Sequence, residues 1–448
     1  MKPFPISEST PVTYPGPLPE AADVVVIGGG VMGVSTALHL ARAGQKVVLC
    51  EKGRIAGEQS SRNWGWIRQQ GRDLDELPIM IESAAIWREL ERETNQDFGL
   101  RQVGVTYLAE TQAEADRYAE WLRKAAPLGA SGQMLSREET AARAPQMSRS
   151  YVGAIHTAAD MKAEPFLAVP AIAGIAARDG AVLVENCAVR VLETTGGAVS
   201  GVVTEQGRIA CSRVVVAGGA WSALFLRAHG VDIPQLSVRA SVCRTQALPD
   251  IGVSASADNT VAWRRRSDGG YTLAPGGFHE LFVGPDAFRA FRKYIKQMRA
   301  DGMNTTLLPS APQHYPDHWF TPRKWAADEV SPFERLRVLN PAPNMKALRR
   351  VAQGFGTLFP ELGPIQIEQA WAGLIDTMPD VVPVVDEAPQ ISGLFIGTGL
   401  SGHGFGIGPG MGRVMASLVR GQAPGHDLTR FRLSRFTDGS EIDLGPAL

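Results

Sequence analysis

The chain has 448 residues, 45 of them basic and 46 acidic, for a formal net charge of −1. That length exceeds what one hydrophobic core usually holds, so two domains are expected, and the even balance of charge removes the electrostatic case for nucleic acid or an acidic membrane surface, which leaves a small molecule as the natural partner. The four cysteines, Cys50, Cys187, Cys211 and Cys243, are far apart and mostly beside apolar runs, a pattern that suits buried thiols in a reducing cytoplasm better than a disulfide frame or a metal site.

No apolar run nears the ~20 residues that span a bilayer, and no apolar segment precedes a cleavage site near the start. Six prolines in the first twenty residues predict an extended or disordered lead over 1–22. The run Asp23-Val-Val-Val-Ile-Gly28-Gly-Gly30-Val-Met32-Gly33 follows. Its four apolar residues suit a strand buried on both faces, as in a parallel sheet covered by helices. Gly28 supplies the sharp turn, Gly30 admits a pyrophosphate, and Gly33 lets the next helix lie close on the strand. That helix presents free N–H groups and a positive dipole end to phosphate. It stops at Gly44, and a second apolar strand ends in Glu51, whose carboxylate suits the hydroxyls of an adenosine ribose.

From Leu77 to about Met147 the chain reads as largely helical and polar around Ile86, Leu90, Trp121 and Leu122. Residues 182–184, 188–192 and 199–204 alternate with turns at Gly196-Gly197 and Gly207, as a small antiparallel unit does. The strand Arg213-Val-Val-Val-Ala217-Gly218-Gly219-Ala-Trp221-Ser222 again runs straight into glycines. From Pro234 to about Leu348, strands and turns mix with a Lys/Arg-rich helix near 288–298 and a loop, 314–322, that reads as an irregular cover. In that loop His314, Asp317 and His318 have metal-like spacing, but Pro316 breaks any helical face and no third ligand is evident, so no metal is expected. A third glycine-ended strand, Gly393 to Gly406, precedes a helix-like stretch from Met411 to Val419. Its Gly397 to Gly402 spells G-x-G-x-x-G, but no acid-ended strand follows, so it is not a second nucleotide site.

Three such strands favour FAD over a nicotinamide cofactor. A nicotinamide dehydrogenase uses one fingerprint, whereas the longer, buried FAD needs several clamps. With the stretch Trp371-Ala-Gly373-Leu-Ile-Asp-Thr-Met-Pro-Asp380 and the tail Asp427 to Phe436, these marks make the chain resemble the D-amino-acid oxidase superfamily of flavoproteins, in the branch of sarcosine oxidase, glycine oxidase and D-amino-acid dehydrogenase. The resemblance runs from Asp23 to Phe436. It implies an α/β (α+β) fold: an FAD-binding Rossmann-like domain of the glutathione-reductase/D-amino-acid-oxidase type with an inserted mixed β-sheet substrate domain. The expected division is 23–76, 148–233 and 349–448 for FAD, and 77–147 and 234–348 for substrate.

By the same resemblance Gly28, Gly30, Val31, Met32 and Gly33 wrap the pyrophosphate, and Glu51 with Lys52 holds the adenosine. Val189 clamps adenine through its backbone, while Ala217, Gly218 and Trp221 line the adenosine side. Ser60, Ser61, Arg62, Asn63 and Trp64 pass toward the isoalloxazine. Gly402, His403, Gly404, Phe405 and Gly406 place N–H groups and a helix end near flavin N1 and the C2 carbonyl, a field that favours the anionic reduced flavin. Relatives that bind flavin covalently use a cysteine where this chain has Gly373, or a histidine near Ser60, so the FAD is expected to be non-covalent.

Such a fold implies oxidation of an amino acid or secondary amine: a D-amino acid, an N-alkyl glycine or an opine-like conjugate. Hydride passes to flavin N5 and the imine hydrolyses. The main task of the protein is alignment, commonly by an arginine forked onto a substrate carboxylate. Candidates are Arg68, which matches a basic residue on the substrate side, Arg239, and Arg264, Arg265 and Arg266, with Arg265 chosen from that triplet. His279 is a candidate substrate contact, and His403 is expected to orient backbone at the flavin. Trp64 and Trp66 either wall an aromatic pocket or pack the flavin edge. Oxygen or a quinone of the respiratory chain is the expected electron acceptor, with a homo-oligomer or heteromeric complex as the assembly. Two other functions use the same fold: oxidation of a 2-hydroxy acid or polyol, and service as the flavin subunit of a heteromeric amine dehydrogenase.

Overall fold

A computed structural model describes residues 4–253, 255–301 and 305–445. In chain order, the elements that build the site are β1 (Val24–Ile27), α1 (Val31–Arg42), β2 (Val47–Cys50), α2 (Gln59–Arg62), α3 (Leu77–Glu93), α4 (Pro165–Arg178), β3 (Val182–Val184), β4 (Arg213–Val216), β5 (Leu236–Thr245), α5 (Pro285–Asp301), β6 (Ile367–Thr377), β7 (Val384–Glu387), β8 (Leu394–Thr398) and α6 (Gly404–Val419). One sheet has the order β7-β8-β4-β1-β2-β3, parallel except at its β7 edge. The Val-rich strands sit in its middle because helices cover both faces: Val24, Val25, Val26, Val214, Val215 and Val216 are each fully buried.

A ten-stranded mixed sheet forms the second half, with β5 and β6 paired antiparallel along almost their whole length.

The expected boundaries shift in three places. α3 was assigned to the substrate half, but Ile79, Met80, Ala84, Trp87 and Leu90 join the core of α1, α4 and α6. The strands Gly153–Thr157 and β6, assigned to the FAD half, are ladder strands of the mixed sheet. In each case the apolar face, more than its place in the chain, decides the partner. The stretch from 77 to 147 is also less helical than expected, since Val105–Ala109 and Gln133–Leu135 are strands of that sheet. In the small antiparallel unit, Val189–Thr195, Ala198–Thr204 and Gly207–Ala210 pair as expected, but β3 leaves it to run parallel to β2.

The described part of the lead is extended but not disordered. Ile6 is buried, Phe4 packs on Trp371 with ring centroids 5.4 Å apart, and the Arg54 guanidinium donates to the carbonyls of Glu8 and Thr10. The Glu185 carboxylate accepts from the amides of Thr13 and Tyr14.

α6 begins at Gly404, seven residues before the expected start at Met411. Its glycines conceal the helix in the sequence and enable its packing. A Cβ at Gly408 would lie 2.6 Å from the Val31 side chain, one at Gly412 2.5 Å from Ser35, and one at Gly410 2.7 Å from the Ile79 carbonyl. α6 therefore presses against α1 and α3 at backbone distance, and its N-terminus is fixed at the mouth of the β1-α1 turn.

Candidate active site

The cofactor cavity opens at the carboxyl ends of β1, β4 and β8, where a doubly wound sheet places its ligands. Gly28 has φ +111°, and a Cβ there would stand 2.5 Å from the Ala217 carbonyl. At Gly33 a Cβ would stand 1.9 Å from the Gly28 carbonyl. The turn and the close helix are thus both obligatory. Ser60 Oγ accepts from the Val31 amide at 2.9 Å, which ties α2 to the start of α1, where Gly30, Val31 and Met32 line the cavity.

At the adenosine end Glu51 accepts from the amides of Gly29 and Gly53, each at 2.7 Å. Burial pushes its carboxyl up to about 7, and its remaining lone pairs suit ribose hydroxyls. Val189, Ala217, Gly218 and Trp221 line the same end. Lys52 lies over the Trp221 ring at 4.4 Å and donates to Glu58 and the carbonyls of Leu336 and Arg337, so it builds the wall of the adenosine pocket. The buried acid, the cradle that any Cβ would fill and the long cavity running on to Gly402, Gly404 and Phe405 fit FAD.

Beyond the flavin end lies a second cavity of about 660 Å³. Register explains its walls. Leu236, Val238, Ala240 and Val242 of β5 face it, so Arg239, one residue out of phase, points away and pairs with Glu280 at 2.8 Å. Arg265 is likewise not brought to the site: it caps the carbonyls of Leu248 and Pro249 and stacks on Tyr271. Arg264 is committed to Glu164 through two 2.9 Å bonds, and Arg266 to Asp268. Arg62 is buried and tied to the carbonyls of Gly57 and Ala372. It supports α2, and Ser61 bonds back to Glu58. Gly406 lies behind the cavity wall, its carbonyl accepting from Ser83 and Trp87. A Cβ on Gly373 would meet Gln59 Oε1 at 1.9 Å. Asp317, one of the three residues with metal-like spacing, accepts from the Asp286 amide and from Arg323.

Arg62, Asn63, Trp64, Trp66, Arg68, His279, Gly402, His403 and Phe405 do line this second cavity. Trp64 and Trp66 form an edge-to-face pair at 5.2 Å on the wall of this cavity. Three further groups were not singled out in the sequence. Arg72 is buried, with its Nη1 lacking any partner, and burial with Arg68 alongside lowers it to about 9. Glu76 is buried behind His403, and Asp160 accepts from the amides of Gln69 and Gln70. The only hint of Arg72 is its place four residues after Arg68. Glu76 reads as an ordinary acid at a helix start.

The chain belongs to the family of FAD-dependent oxidoreductases of the D-amino-acid oxidase type, whose model matches residues 23–418. It is similar to the solved L-amino acid deaminase from Proteus myxofaciens in complex with anthranilate, at 31% identity and a TM-score of 0.90, covering 96% of this chain and 97% of that one. Mitochondrial sarcosine dehydrogenase of Homo sapiens is 26% identical over 94% of this chain, which spans only 42% of that relative's length. Glycine oxidase of Geobacillus kaustophilus is 24% identical over 92% of this chain and 97% of its own. Among the described residues no helix is long and apolar enough to cross a membrane.

Proposed function

We propose that this protein is an FAD-dependent oxidoreductase acting on the C–N bond of an α-amino acid with an apolar side chain. The observation that carries the reading is the pairing of two arginines, Arg68 and Arg72, on one wall of a largely apolar cavity, with Arg72 Nη1 buried and unpartnered. A buried guanidinium nitrogen without a hydrogen-bond partner is costly alone and suits a carboxylate that arrives with the substrate. Trp64, Trp66, Leu281, Ile375 and Phe405 then receive an apolar side chain. The names of the relatives point the same way, toward amino acids and N-methyl amines. When bound, the flavin supplies the two-electron acceptor for the hydride beside the nitrogen. The chain orients the substrate over it and excludes water.

Anaerobic addition of apolar amino acids should bleach the flavin band. Bleaching by 2-hydroxy acids and not by amino acids would overturn the reading. Repeating turnover in air and with a soluble quinone assigns oxygen or quinone as the acceptor. Replacing Arg72 with Met should raise KM by about 10–100-fold, the size of one lost charged hydrogen bond, with a smaller change in kcat.

The FAD is held without a covalent bond in this reading. Gly373 offers no side chain, and Cys50 and Cys187, which line the cofactor cavity, lie at its adenosine end. Acid precipitation should therefore leave all the yellow colour in the supernatant. Colour retained by the pellet would contradict it.

A further inference from the structure

Behind the wall of the substrate cavity sits a buried pair that alignment and hydride transfer leave unused. Glu76, in the turn entering α3, is 0% exposed, and its Oε2 lies 3.2 Å from His403 Nδ1. Its Oε1 has neither surface nor partner. His403 is the N-cap of α6, and its ring lines the cavity. When ionised, the Glu76 carboxylate can only accept, which fixes the imidazole proton on Nδ1 and leaves the Nε2 lone pair as the acceptor. Among the described residues Nε2 has no hydrogen-bond partner.

An amino acid arrives as an ammonium ion, whose nitrogen has no lone pair and cannot form a C=N bond. We propose that His403, positioned by Glu76, takes the proton that the substrate ammonium must lose before hydride can leave. This inference rests on the amine reading above. One N–H bond breaks, its electron pair stays on nitrogen, and the proton moves to Nε2. With that lone pair free, the nitrogen could close a C=N bond as the adjacent C–H pair left as hydride, for which a bound flavin would be the two-electron acceptor. The imidazolium is neutralised by Glu76 and returns its proton to water as product departs. His403 is the catalytic residue, and Glu76 is a positioning residue.

The surrounding charges make the device depend on substrate. Arg68 and Arg72 face both members of the pair, while Asp73, Arg430 and Asp380 face Glu76. Burial pushes Glu76 up to about 7, with Arg72, Arg68 and Arg430 opposing the shift. Burial and the two nearby arginines hold His403 well below its ordinary value. A carboxylate seated on Arg68 and Arg72 cancels that positive field, so the substrate itself raises the basicity of His403 as it binds. Tyr294, on the α5 wall, is no rival, since its hydroxyl donates to the Thr377 carbonyl.

The test uses holoenzyme carrying ¹⁵N-labelled histidine and an α-methyl amino acid, whose ammonium can give up a proton but whose Cα has no hydrogen to leave as hydride. Its binding is read from the flavin spectrum. The expected result is that the His403 Nε2 resonance, assigned by its loss in His403→Gln, moves from the neutral to the imidazolium position on binding, and fails to do so in Glu76→Gln. In wild type, kcat/KM should fall as pH drops through the titration of the pair, because a protonated base cannot accept. Glu76→Gln should lower the plateau and move that acid limb to lower pH, and Glu76→Asp should restore the limb, whereas a purely structural role would lower the plateau alone. A bound ligand with Nε2 still neutral, or an acid limb unmoved in Glu76→Gln, overturns the relay while leaving the amine reading intact. Failure of any α-methyl amino acid to perturb the flavin overturns both.

Discussion

Substituting Gly33 with Val should yield protein without flavin. Even the Cβ of alanine would lie 1.9 Å from the Gly28 carbonyl oxygen and 3.1 Å from its carbon, and both are backbone atoms that no rotamer change can move. α1 would have to retreat by more than an ångström, but its other side is closed: Gly408 and Gly412 of α6 meet Val31 and Ser35 where their own Cβ atoms would collide. Overpacking of this kind costs about 1–3 kcal/mol even where the neighbours can give. Here the retreat also takes the α1 amides away from the pyrophosphate. Flavin absorbance per protein should fall to background in Gly33→Val, with the melting temperature lowered. Gly174→Ala is the control, because that glycine lies on the exposed side of α4 with nothing within 4 Å of an added Cβ. It should keep its flavin and gain up to about 1 kcal/mol from helix propensity. A Gly33→Val enzyme that purifies fully yellow would refute the close-packing argument.

The ease of reading the cofactor site from the sequence and the difficulty of reading the substrate site have one physical origin. Strand, glycine turn, helix and acid lie within thirty residues and are fixed by local backbone geometry, so Gly28, Gly33 and Glu51 stand where the pattern puts them. The substrate cavity is assembled from α2 and the segment 63–72 after it, α5, β5, β6 and the start of α6, which meet only through tertiary packing. Arg239 and Arg265 look as plausible as Arg68 in the chain, yet the twofold alternation of β5 turns Arg239 away from the cavity, and Arg265 lies on a strand that adds nothing to its wall. Arg72 has only its spacing from Arg68 as a local mark, and Glu76 has none. Their importance comes from being buried with unpartnered atoms, which a sequence does not display. The start of α6 was hidden for the opposite reason: glycines that predict a loop in isolation are required there by the closeness of α1 and α3.

Replacing Glu164 with Ala should cost about 3–5 kcal/mol of stability, the penalty for stranding a buried charge. Arg264 and Glu164 side chains are 1% and 3% exposed and meet through two 2.9 Å bonds, with Arg266 at 3.6 Å and the Ser267 amide also on the carboxylate. Burial alone would raise the Glu164 carboxyl, but the pair with Arg264 and the nearby Arg266 hold it well below the ordinary range. A depressed carboxylate contributes stability above its unfolded value of 4.5 and loses it as pH falls through the lower folded value. The contribution is therefore complete at neutral pH, and urea unfolding near pH 7 is where the deficit of Glu164→Ala should be greatest, narrowing in strong acid. Replacing both partners, Glu164→Met with Arg264→Leu, should recover most of the loss, because the penalty belongs to the unpaired charge. Activity should not recover in parallel. Arg264 Nε donates to the Trp64 carbonyl at 2.5 Å, and Trp64 lines the substrate cavity, so the double variant is stable but holds that wall loosely, with KM raised more than kcat is lowered. Full recovery of both stability and KM would show that the pair has no part in shaping the cavity.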